Sequence, residues 1–434
     1  MAPEIIGIIG LVFMFALLFA GMPIGLGMAF TGFLGIAYLF AIDGALHQLS
    51  LVPFSSSAHY SLSVVPLFIL MGHFAFASGI TEDFFDAAHA LLARLRGGLA
   101  MSTIAACAGF AACTGSSFAG AATMTKIALP EMKRYKYDPA LATGTIAAGG
   151  TLGILIPPSN AMIFYALITD ASIGRLFIGG IIPGLLLTTL FILIIYLMVK
   201  IRPQMAPIQS QFTWRPVLNS AKRIWPGLIL IGIVLGGLWG GVFSPTEAGG
   251  MGAFAAFVIT LAKRGFAKKH IIDGLRETTK TTAMIFTILI GAIIFGYFMT
   301  ASGLPVLLVE FIQDLAIPPV AVLVVILVVF IFLGCIMDAA ALTFVVLPIV
   351  FPVVLALDFN PVWFGILYVI NSEMALITPP IGMNVFVVGG MAKDVPMYTI
   401  FKGVLPFVVA MAMCTALIIA FPQIALFLPS TMIK

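Results

Sequence analysis

Charged residues are scarce in this chain of 434 residues. Asp, Glu, Lys and Arg make up 9% of it, whereas hydrophobic residues make up 62%. Soluble domains carry roughly a quarter charged residues and about half apolar ones, so this composition excludes an ordinary soluble fold. Nearly uncharged runs of about 17 to 25 residues, enough to cross a bilayer, recur from end to end. The composition therefore predicts an all-α polytopic membrane protein.

The sequence also lacks the motifs of redox, metal and nucleotide chemistry. Its 4 cysteines form no CxxC pair and its 5 histidines are scattered singly, which argues against a disulfide framework or a zinc site. No Gly-rich loop ending in Gly-Lys-Ser/Thr is present, so direct ATP coupling is not expected. The basic residues are spread along the chain, and we expect no cofactor and no nucleic acid partner.

The order of the basic clusters predicts the topology. They lie at Arg94/Arg96, Lys133–Lys136, Lys200–Arg223, Lys263–Lys280 and Lys393/Lys402. The positive-inside rule places all of them in the cytoplasm. This constraint predicts both termini outside, about ten full spans and two re-entrant helical hairpins. The spans are expected near 4–20, 22–40, 62–79, 139–168, 176–200, 224–242, 246–262, 281–301, 361–391 and 401–427, and the hairpins at about 99–130 and 319–357.

Short motifs of the first half recur roughly 220 residues later in the second. The pairs include Ser78-Gly79 with Ser302-Gly303, Leu129-Pro130 with Leu347-Pro348, Asp138-Pro139 with Asn360-Pro361, and Pro157-Pro158 with Pro379-Pro380. Five spans and a hairpin give an odd number of crossings, so the second copy is expected upside down. We therefore predict inverted repeats at 1–215 and 216–434, with broken helices at about 139–168 and 361–391. Such repeats are typical of secondary transporters.

Two further segments, about 81–96 and 304–316, follow the two Ser-Gly motifs and mix charges with Leu, Phe and Val. This pattern predicts amphipathic arms that lie at the membrane interface. An ordinary loop helix is the alternative interpretation.

The predicted first hairpin has a polar tip, Thr114-Gly115-Ser116-Ser117. Non-helical backbone at that depth must face protein, water or an ion, and hydroxyl and carbonyl oxygens suit an alkali cation. A small-residue packing surface is the alternative. At Pro157-Pro158 two prolines remove backbone donors and interrupt the helix, which leaves carbonyls and amides for a cation and an anionic solute. A simple kink would also explain these prolines.

Three acidic residues lie in or beside apolar segments. Asp338, in the predicted second hairpin, is a functional candidate because a charge at that depth is unfavourable unless it is paired or solvated. It could ligate Na⁺, carry a proton or cap a half-helix. Glu373 lies near the same depth, on a face that the sequence does not specify, and we rank it below Asp338. Glu247, after Ser244, fits a helix cap.

These motifs resemble the large, M-type (DctM-like) membrane subunit of tripartite ATP-independent periplasmic (TRAP) transporters. The resemblance covers nearly the whole chain. It implies an elevator-type fold of the ion-transporter superfamily in the bacterial inner membrane. In that membrane the order of the basic clusters predicts both termini to be periplasmic. It also implies Na⁺-driven uptake of a small organic anion, such as a C4-dicarboxylate, a sialic acid or a 2-oxo acid. The expected partners are a small four-helix Q-type subunit, on a separate polypeptide, and a periplasmic substrate-binding protein.

The resemblance also implies the site residues. Sodium is expected at Thr114, Gly115, Ser116, Ser117, Gly153, Pro157 and Asn160, and at Gly334, Asp338, Thr343, Thr378, Pro379, Gly382 and Asn384. The solute is expected at Ser116, Ser117, Pro158, Ser159, Asn160, Pro380 and Asn384. We expect no metal other than Na⁺ and no enzymatic activity. A self-sufficient sodium–dicarboxylate carrier is the main alternative, and an intramembrane enzyme that uses Asp338 is a weaker one.

Overall fold

The computed structural model describes residues 2–92, 94–207, 214–266, 268–314 and 317–433, and these residues form helices and connections without any strand. The first half contains α1 (Pro3–Phe19), α2 (Ile24–Leu39), α3 (Ile42–Ser57), α4 (Val64–Ala77), α5 (Ile80–Leu92), α6 (Gly98–Thr114), α7 (Ser117–Arg134), α8 (Pro139–Leu155), α9 (Asn160–Thr169) and α10 (Ile173–Ile201). The second half contains α11 (Trp214–Ile231), α12 (Gly237–Trp239), α13 (Pro245–Arg264), α14 (Lys268–Ala301), α15 (Leu304–Asp314), α16 (Pro319–Gly334), α17 (Ala339–Ala356), α18 (Pro361–Ala375), α19 (Met383–Met391), α20 (Met397–Ala420) and α21 (Gln423–Ser430). The all-α prediction is confirmed.

Several of these helices are long and apolar enough to span a membrane. Within the described ranges there are six, namely Tyr60–Ala77, Ile173–Ile201, Lys222–Trp239, Lys268–Ala301, Ala339–Ala356 and Met397–Ala420. The pair α8 and α9, bent by 43° at its break, would make a seventh. Four shorter apolar helices, α1, α2, α6 and α16, accompany them. These lengths support an integral membrane protein, while the count of ten full spans stays a prediction.

Three helix bounds differ from the predicted spans. Helix α14 begins at Lys268, well before the apolar run near 281, because hydropathy marks only the apolar part of a helix whose first three turns are rich in charged residues. Helix α3 occupies 42–57, where the sequence indicated a connection. The predicted span 401–427 is divided between α20 and α21, because Pro422 lacks the backbone N–H that would continue the helix.

The repeated Asp/Asn-Pro motifs start equivalent helices. Asp138 Oδ1 accepts hydrogen bonds of 2.9 and 3.1 Å from the first backbone amides of α8. Asn360 Oδ1 accepts bonds of 2.9 and 3.3 Å from the first amides of α18. In both helices proline occupies the first turn, where its missing N–H removes no helix bond. The motif therefore recurs because both helices begin with the same cap, a side-chain oxygen followed by proline.

The repeated Ser-Gly motifs end equivalent helices. The hydroxyls of Ser78 and Ser302 each donate to the carbonyl three residues earlier, at 2.7 Å. Gly79 and Gly303 follow with φ angles of +77° and +68°, a left-handed backbone that favours glycine. The two amphipathic arms, α5 and α15, then begin directly. The local structures of the two halves thus match, and the inverted orientation of the repeats stays a prediction.

Small residues let the helices approach closely. Helix α2 packs along α14, and α8 packs along α7 and α20. A Cβ atom added to Gly291 would lie 2.0 Å from the Gly25 carbonyl oxygen, and one added to Gly403 would lie 2.0 Å from that of Ala140. Such contacts are typical of membrane helices, which associate by close backbone packing. Helix α8 is buried among its neighbours and carries the first half of the candidate site.

Candidate ion and solute site

The tip of the first hairpin lies against the first broken helix. A Cβ atom added to Gly115 would be 2.6 Å from the Pro158 carbonyl oxygen, and one added to Gly153 would be 2.6 Å from that of Ser116. Gly115 has a φ of +63° and separates α6 from α7, whose N-terminus is capped by the Ser116 hydroxyl. The structure therefore brings the tip 114–117 and the break 153–160 together. That they bind sodium stays a prediction from the family resemblance.

The first break leaves backbone groups without helical partners. Helix α8 ends at Leu155 and α9 begins at Asn160. Between them the Pro157-Pro158 peptide bond is cis, and the Ser159 hydroxyl accepts a hydrogen bond of 3.3 Å from the Met162 amide. The carbonyl end of one half-helix and the amide end of the other thus flank the segment that contacts the hairpin tip. Such an arrangement can accept a cation on one side and an anionic group on the other.

The second hairpin and the second break approach each other in the same way. The thiol of Cys335 donates to the Pro379 carbonyl at 3.4 Å. A Cβ atom added to Gly334 would be 2.7 Å from Cβ of Ala375. The residues 334–338 and 375–379 are therefore neighbours, and the second predicted set is also brought together in part.

Asp338 is the N-cap of α17. Its Oδ1 accepts a hydrogen bond of 2.7 Å from the Ala341 amide, which is the capping role that the sequence left open beside the two ion-binding roles. Thr343 is already satisfied, since its hydroxyl bonds to the Ala339 carbonyl at 2.6 Å and to the Tyr368 hydroxyl at 2.7 Å. The Thr378 hydroxyl likewise donates to the Met374 carbonyl at 2.6 Å.

Asn384 is the least satisfied of the predicted residues. Its side chain is fully buried, and within the described ranges neither its amide nitrogen nor its carbonyl oxygen has a hydrogen-bond partner. Its backbone amide donates to the Leu376 carbonyl at 3.0 Å across the left-handed turn at Gly382. Burying an amide side chain without a hydrogen-bond partner costs free energy, so a ligand that hydrogen-bonds to Asn384 would bind more tightly. By contrast, Pro379 and Pro380 are exposed.

One buried side-chain hydrogen bond joins the first hairpin to the second broken helix. The Ser117 hydroxyl donates to Glu373 Oε2 at 2.5 Å, although 256 positions separate the two residues. Glu373 is 1% exposed, and its other carboxylate oxygen has no partner among the described residues. The sequence analysis ranked Glu373 below Asp338, because periodicity does not show which face of a buried helix meets the hairpin. The only sequence feature that pointed to Glu373 was the presence of an acidic residue in an apolar helix.

A large cavity opens beside the first hairpin tip. Its volume is about 810 Å³, and Thr114, Ser116 and Asn160 form part of its wall. Charged and titratable residues form another part, namely Lys126, Arg264, His73, His270, Glu82, Asp273 and Glu277. Among the residues expected around the solute, Ser116 and Asn160 line this cavity, whereas Ser117, Ser159 and Asn384 are buried away from solvent.

No group of three or more His, Cys, Asp or Glu side chains that could hold a metal ion occurs within the described ranges. The four cysteines are free and buried.

Known proteins resemble this chain over most of its length. A sequence model of the family described as "Tripartite ATP-independent periplasmic transporter, DctM component" matches residues 11–424. The C4-dicarboxylate TRAP transporter large permease protein DctM of Pseudomonas aeruginosa is 34% identical over 393 residues, which cover 90% of this chain and 91% of that protein. The sialic acid TRAP transporter large permease protein SiaM of Vibrio cholerae is 33% identical over 417 residues, with 95% and 96% covered.

Among solved structures, the YdaH transporter of Alcanivorax borkumensis aligns with a TM-score of 0.68. The alignment covers 89% of this chain and 91% of that one, at 18% sequence identity. At this identity the likeness shows a shared fold and nothing about the transported solute.

Proposed function

Because this chain belongs to the DctM-component family of tripartite ATP-independent periplasmic transporters, we propose that it carries a small organic anion across the inner membrane, driven by Na⁺. Its relatives are named as transporter permeases, so the chain is a membrane transport protein and not an enzyme. The solute classes that fit are C4-dicarboxylates and sialic acids, named for the relatives, and 2-oxo acids. The observation that carries the proposal is the contact of the first hairpin tip with the first break, at the wall of the cavity.

The oxygen-rich tip and break fit a sodium ion. Na⁺ is a hard cation that prefers carbonyl, hydroxyl and carboxylate oxygens, and the tip offers the carbonyls of 114–117 and the Thr114 and Ser116 hydroxyls. The second set, 334–338 with 378–384, offers the Asp338 carboxylate and the unpartnered Asn384 amide. When bound, Na⁺ would supply the positive charge that draws the carboxylate of the solute toward the two tips.

The cavity supports an anionic solute of small size. Its volume of about 810 Å³ is ample for a dicarboxylate or a sugar acid. Lys126 and Arg264 place positive charge at two points of its wall, and Glu82, Asp273 and Glu277 place negative charge at others. We propose that the anion binds beside the two basic side chains, where the local potential favours it. We propose that Ser116 and Asn160 contact the solute at the inner end of this cavity.

We further propose that the hairpins and broken helices move together as an elevator against a scaffold that contains the α2–α14 and α4–α13 pairs. Arg264 and His270 belong to a basic cluster that the positive-inside rule places in the cytoplasm. The cavity would then open to the cytoplasm, which corresponds to an inward-facing state with both termini periplasmic. A small Q-type subunit and a periplasmic binding protein would complete the transporter.

Reconstitution tests the proposal. The full chain, together with its small subunit, is placed in liposomes, and uptake of a panel of radiolabelled organic anions is measured with and without the binding protein and an inward Na⁺ gradient. Uptake that needs both supports the tripartite, sodium-driven function. Sodium-driven uptake without the binding protein would favour a self-sufficient carrier. Uptake that is the same with and without the Na⁺ gradient would refute sodium coupling.

A matched pair of variants tests the cavity. Lys126→Gln removes a positive charge from the cavity wall, whereas Lys393→Gln removes one from an exposed position that does not line it. We expect the first to raise the solute concentration for half-maximal uptake about tenfold, and the second to leave it unchanged. Equal effects would show that the cavity is not the anion path.

A further inference from the structure

A second cavity lies where α10 ends and where α8 and α20 begin. Its volume is about 610 Å³, and it shares no lining residue with the cavity beside the first hairpin tip. Part of its wall is formed by Asp138 and Pro139 at the start of α8, Arg202 at the end of α10 and Lys402 in the second turn of α20. The proposed solute path therefore does not account for this cavity.

The wall of this second cavity carries more positive than negative charge. Arg202 and Lys402 are both exposed, and among the described residues no ion pair engages either of them. Asp138 is the acidic residue of the wall, and its Oδ1 already accepts hydrogen bonds of 2.9 and 3.1 Å from the first amides of α8. Two basic side chains without acidic partners favour an anionic ligand. The planar guanidinium group of Arg202 matches the oxygen atoms of a phosphate.

The apolar part of the wall lies deeper along the same helices. Helices α10 and α20 pack against each other, and both are long and apolar enough to span the membrane. Met198 lies four residues before Arg202, and Leu405 lies three residues after Lys402, so each is about one turn further from the end of its helix. Tyr398, in the first turn of α20, is 79% exposed, and tyrosine is enriched at membrane–water interfaces. The cavity is thus charged at the helix ends and apolar beyond them.

Arg202 and Lys402 belong to two basic clusters that the positive-inside rule places in the cytoplasm. The cytoplasmic leaflet carries anionic lipids, and basic pockets between membrane helices on that side bind lipid headgroups. We propose that the second cavity binds one anionic phospholipid of the cytoplasmic leaflet, with its phosphate between Arg202 and Lys402 and an acyl chain along Met198 and Leu405. A free phosphate ester would use the charged end and leave the apolar end without a ligand, so the shape of the cavity favours the lipid.

The bound lipid would contact helices that position the candidate ion and solute site. Gly403 lies in the wall of the second cavity, and a Cβ atom added to it would lie 2.0 Å from the Ala140 carbonyl oxygen of α8. Helix α8 continues from there to the first break. A ligand that binds the folded state and not the unfolded one stabilises the folded state, so the lipid should raise the melting temperature of the protein. This inference requires neither sodium nor a transported solute.

Native mass spectrometry of the full chain in detergent micelles tests the lipid site. Phosphatidylglycerol, which is anionic, and phosphatidylcholine with the same acyl chains are titrated separately, and the dissociation constant of the first bound lipid is obtained for each. We expect the natural protein to bind phosphatidylglycerol at least about tenfold more tightly than phosphatidylcholine. The double variant Arg202→Gln/Lys402→Gln should bind phosphatidylglycerol about thirtyfold more weakly, because each basic side chain near an anionic headgroup contributes about fivefold.

The control is the double variant Arg96→Gln/Lys269→Gln, the same loss of charge at two exposed residues that do not line the second cavity. It should bind phosphatidylglycerol as the natural protein does. Equal affinities of the natural protein for the two lipids, or equal losses in the two double variants, would overturn the inference.

Glycerol 3-phosphate distinguishes a lipid from a free phosphate ester, because it has the phosphate without acyl chains. It should not displace phosphatidylglycerol at equal concentration, and displacement would assign the cavity to a free anion instead. Melting temperatures give a second measurement: phosphatidylglycerol should raise that of the natural protein more than phosphatidylcholine does. If Arg202→Gln/Lys402→Gln does not fold, this comparison of the two lipids on the natural protein decides.

Discussion

Gly115→Ala should disrupt the contact on which the candidate site depends. Gly115 has a left-handed backbone, and an added Cβ would lie 2.6 Å from the Pro158 carbonyl oxygen. Neither effect is easily relieved. The φ angle of +63° is set by the turn between α6 and α7, and the neighbouring atom belongs to the backbone of the break, so the tip and the break must move apart.

The two effects can be estimated separately. A left-handed conformation costs an Ala residue about 1–2 kcal/mol more than Gly. A close contact that forces packed groups apart typically costs a further 1–3 kcal/mol. Gly115→Ala should therefore lower the free energy of unfolding by about 2–5 kcal/mol. Gly21→Ala is the matched control, because Gly21 has a φ of +88° but nothing within 4 Å of the added Cβ, and it should lose only the first ~1–2 kcal/mol.

Both variants are purified as the full chain and unfolded reversibly with increasing fractions of sodium dodecyl sulfate, and sodium binding is measured by calorimetry on the folded protein. We expect Gly115→Ala to weaken sodium binding at least tenfold and Gly21→Ala to leave it unchanged. Equal losses of stability in the two variants would show that the tip does not touch the break. Normal sodium binding by a folded Gly115→Ala protein would place the ion elsewhere.

Two ion pairs give further predictions. Lys263→Met leaves the buried Asp83 carboxylate without its partner and should lower the free energy of unfolding by about 2 kcal/mol. This loss is smaller than for a fully buried pair because Lys263 is partly exposed. The control Arg134→Ala, in an exposed pair, should cost under about 0.5 kcal/mol, and equal losses in detergent unfolding would contradict this explanation. The hydrogen bond from Lys133 holds the pKa of Asp394 below its ordinary value. The pair therefore stabilises the folded state at pH values above the ordinary pKa of aspartate, about 4. This stabilisation is lost as the pH falls through the lowered pKa. The melting temperature of Lys133→Met should therefore fall less over this acidic range than that of the natural protein, and parallel curves would exclude the contribution.

Much of the local structure could be predicted from sequence. The hairpin at 99–130 corresponds to α6 and α7, the break at 157–160 separates α8 from α9, and the amphipathic arms correspond to α5 and α15. These features depend on residues that are near each other in the chain. Asp138 caps the helix that begins at the next residue, and Pro157-Pro158 interrupts the helix in which it stands. The capping box of Ser244 and Glu247 was predicted for the same reason.

The partners of the two buried acidic residues could not be predicted, and their functional ranking stays a prediction. Asp338 has the stronger sequence signal, yet its Oδ1 is occupied by a local cap. Glu373 has the weaker signal, yet it bonds to Ser117 of the first hairpin. Whether a buried residue meets another 256 positions away depends on the rotation of each helix about its axis. Packing of neighbouring helices sets that rotation, and the sequence of an apolar helix without an amphipathic pattern does not indicate it.

The sequence by itself determined that this protein lies in a membrane, where local caps and prolines start or break several of its helices, and which segments recur. Composition and short-range hydrogen bonding are sufficient for these features, because each involves the bilayer or residues within one or two turns. Only the tertiary structure decided that the first tip closes on the Pro158 carbonyl, that Asn384 is buried without a partner and that Ser117 meets Glu373. These contacts arise when helices distant in sequence pack at close range, so they depend on the shapes of all the surrounding side chains at once.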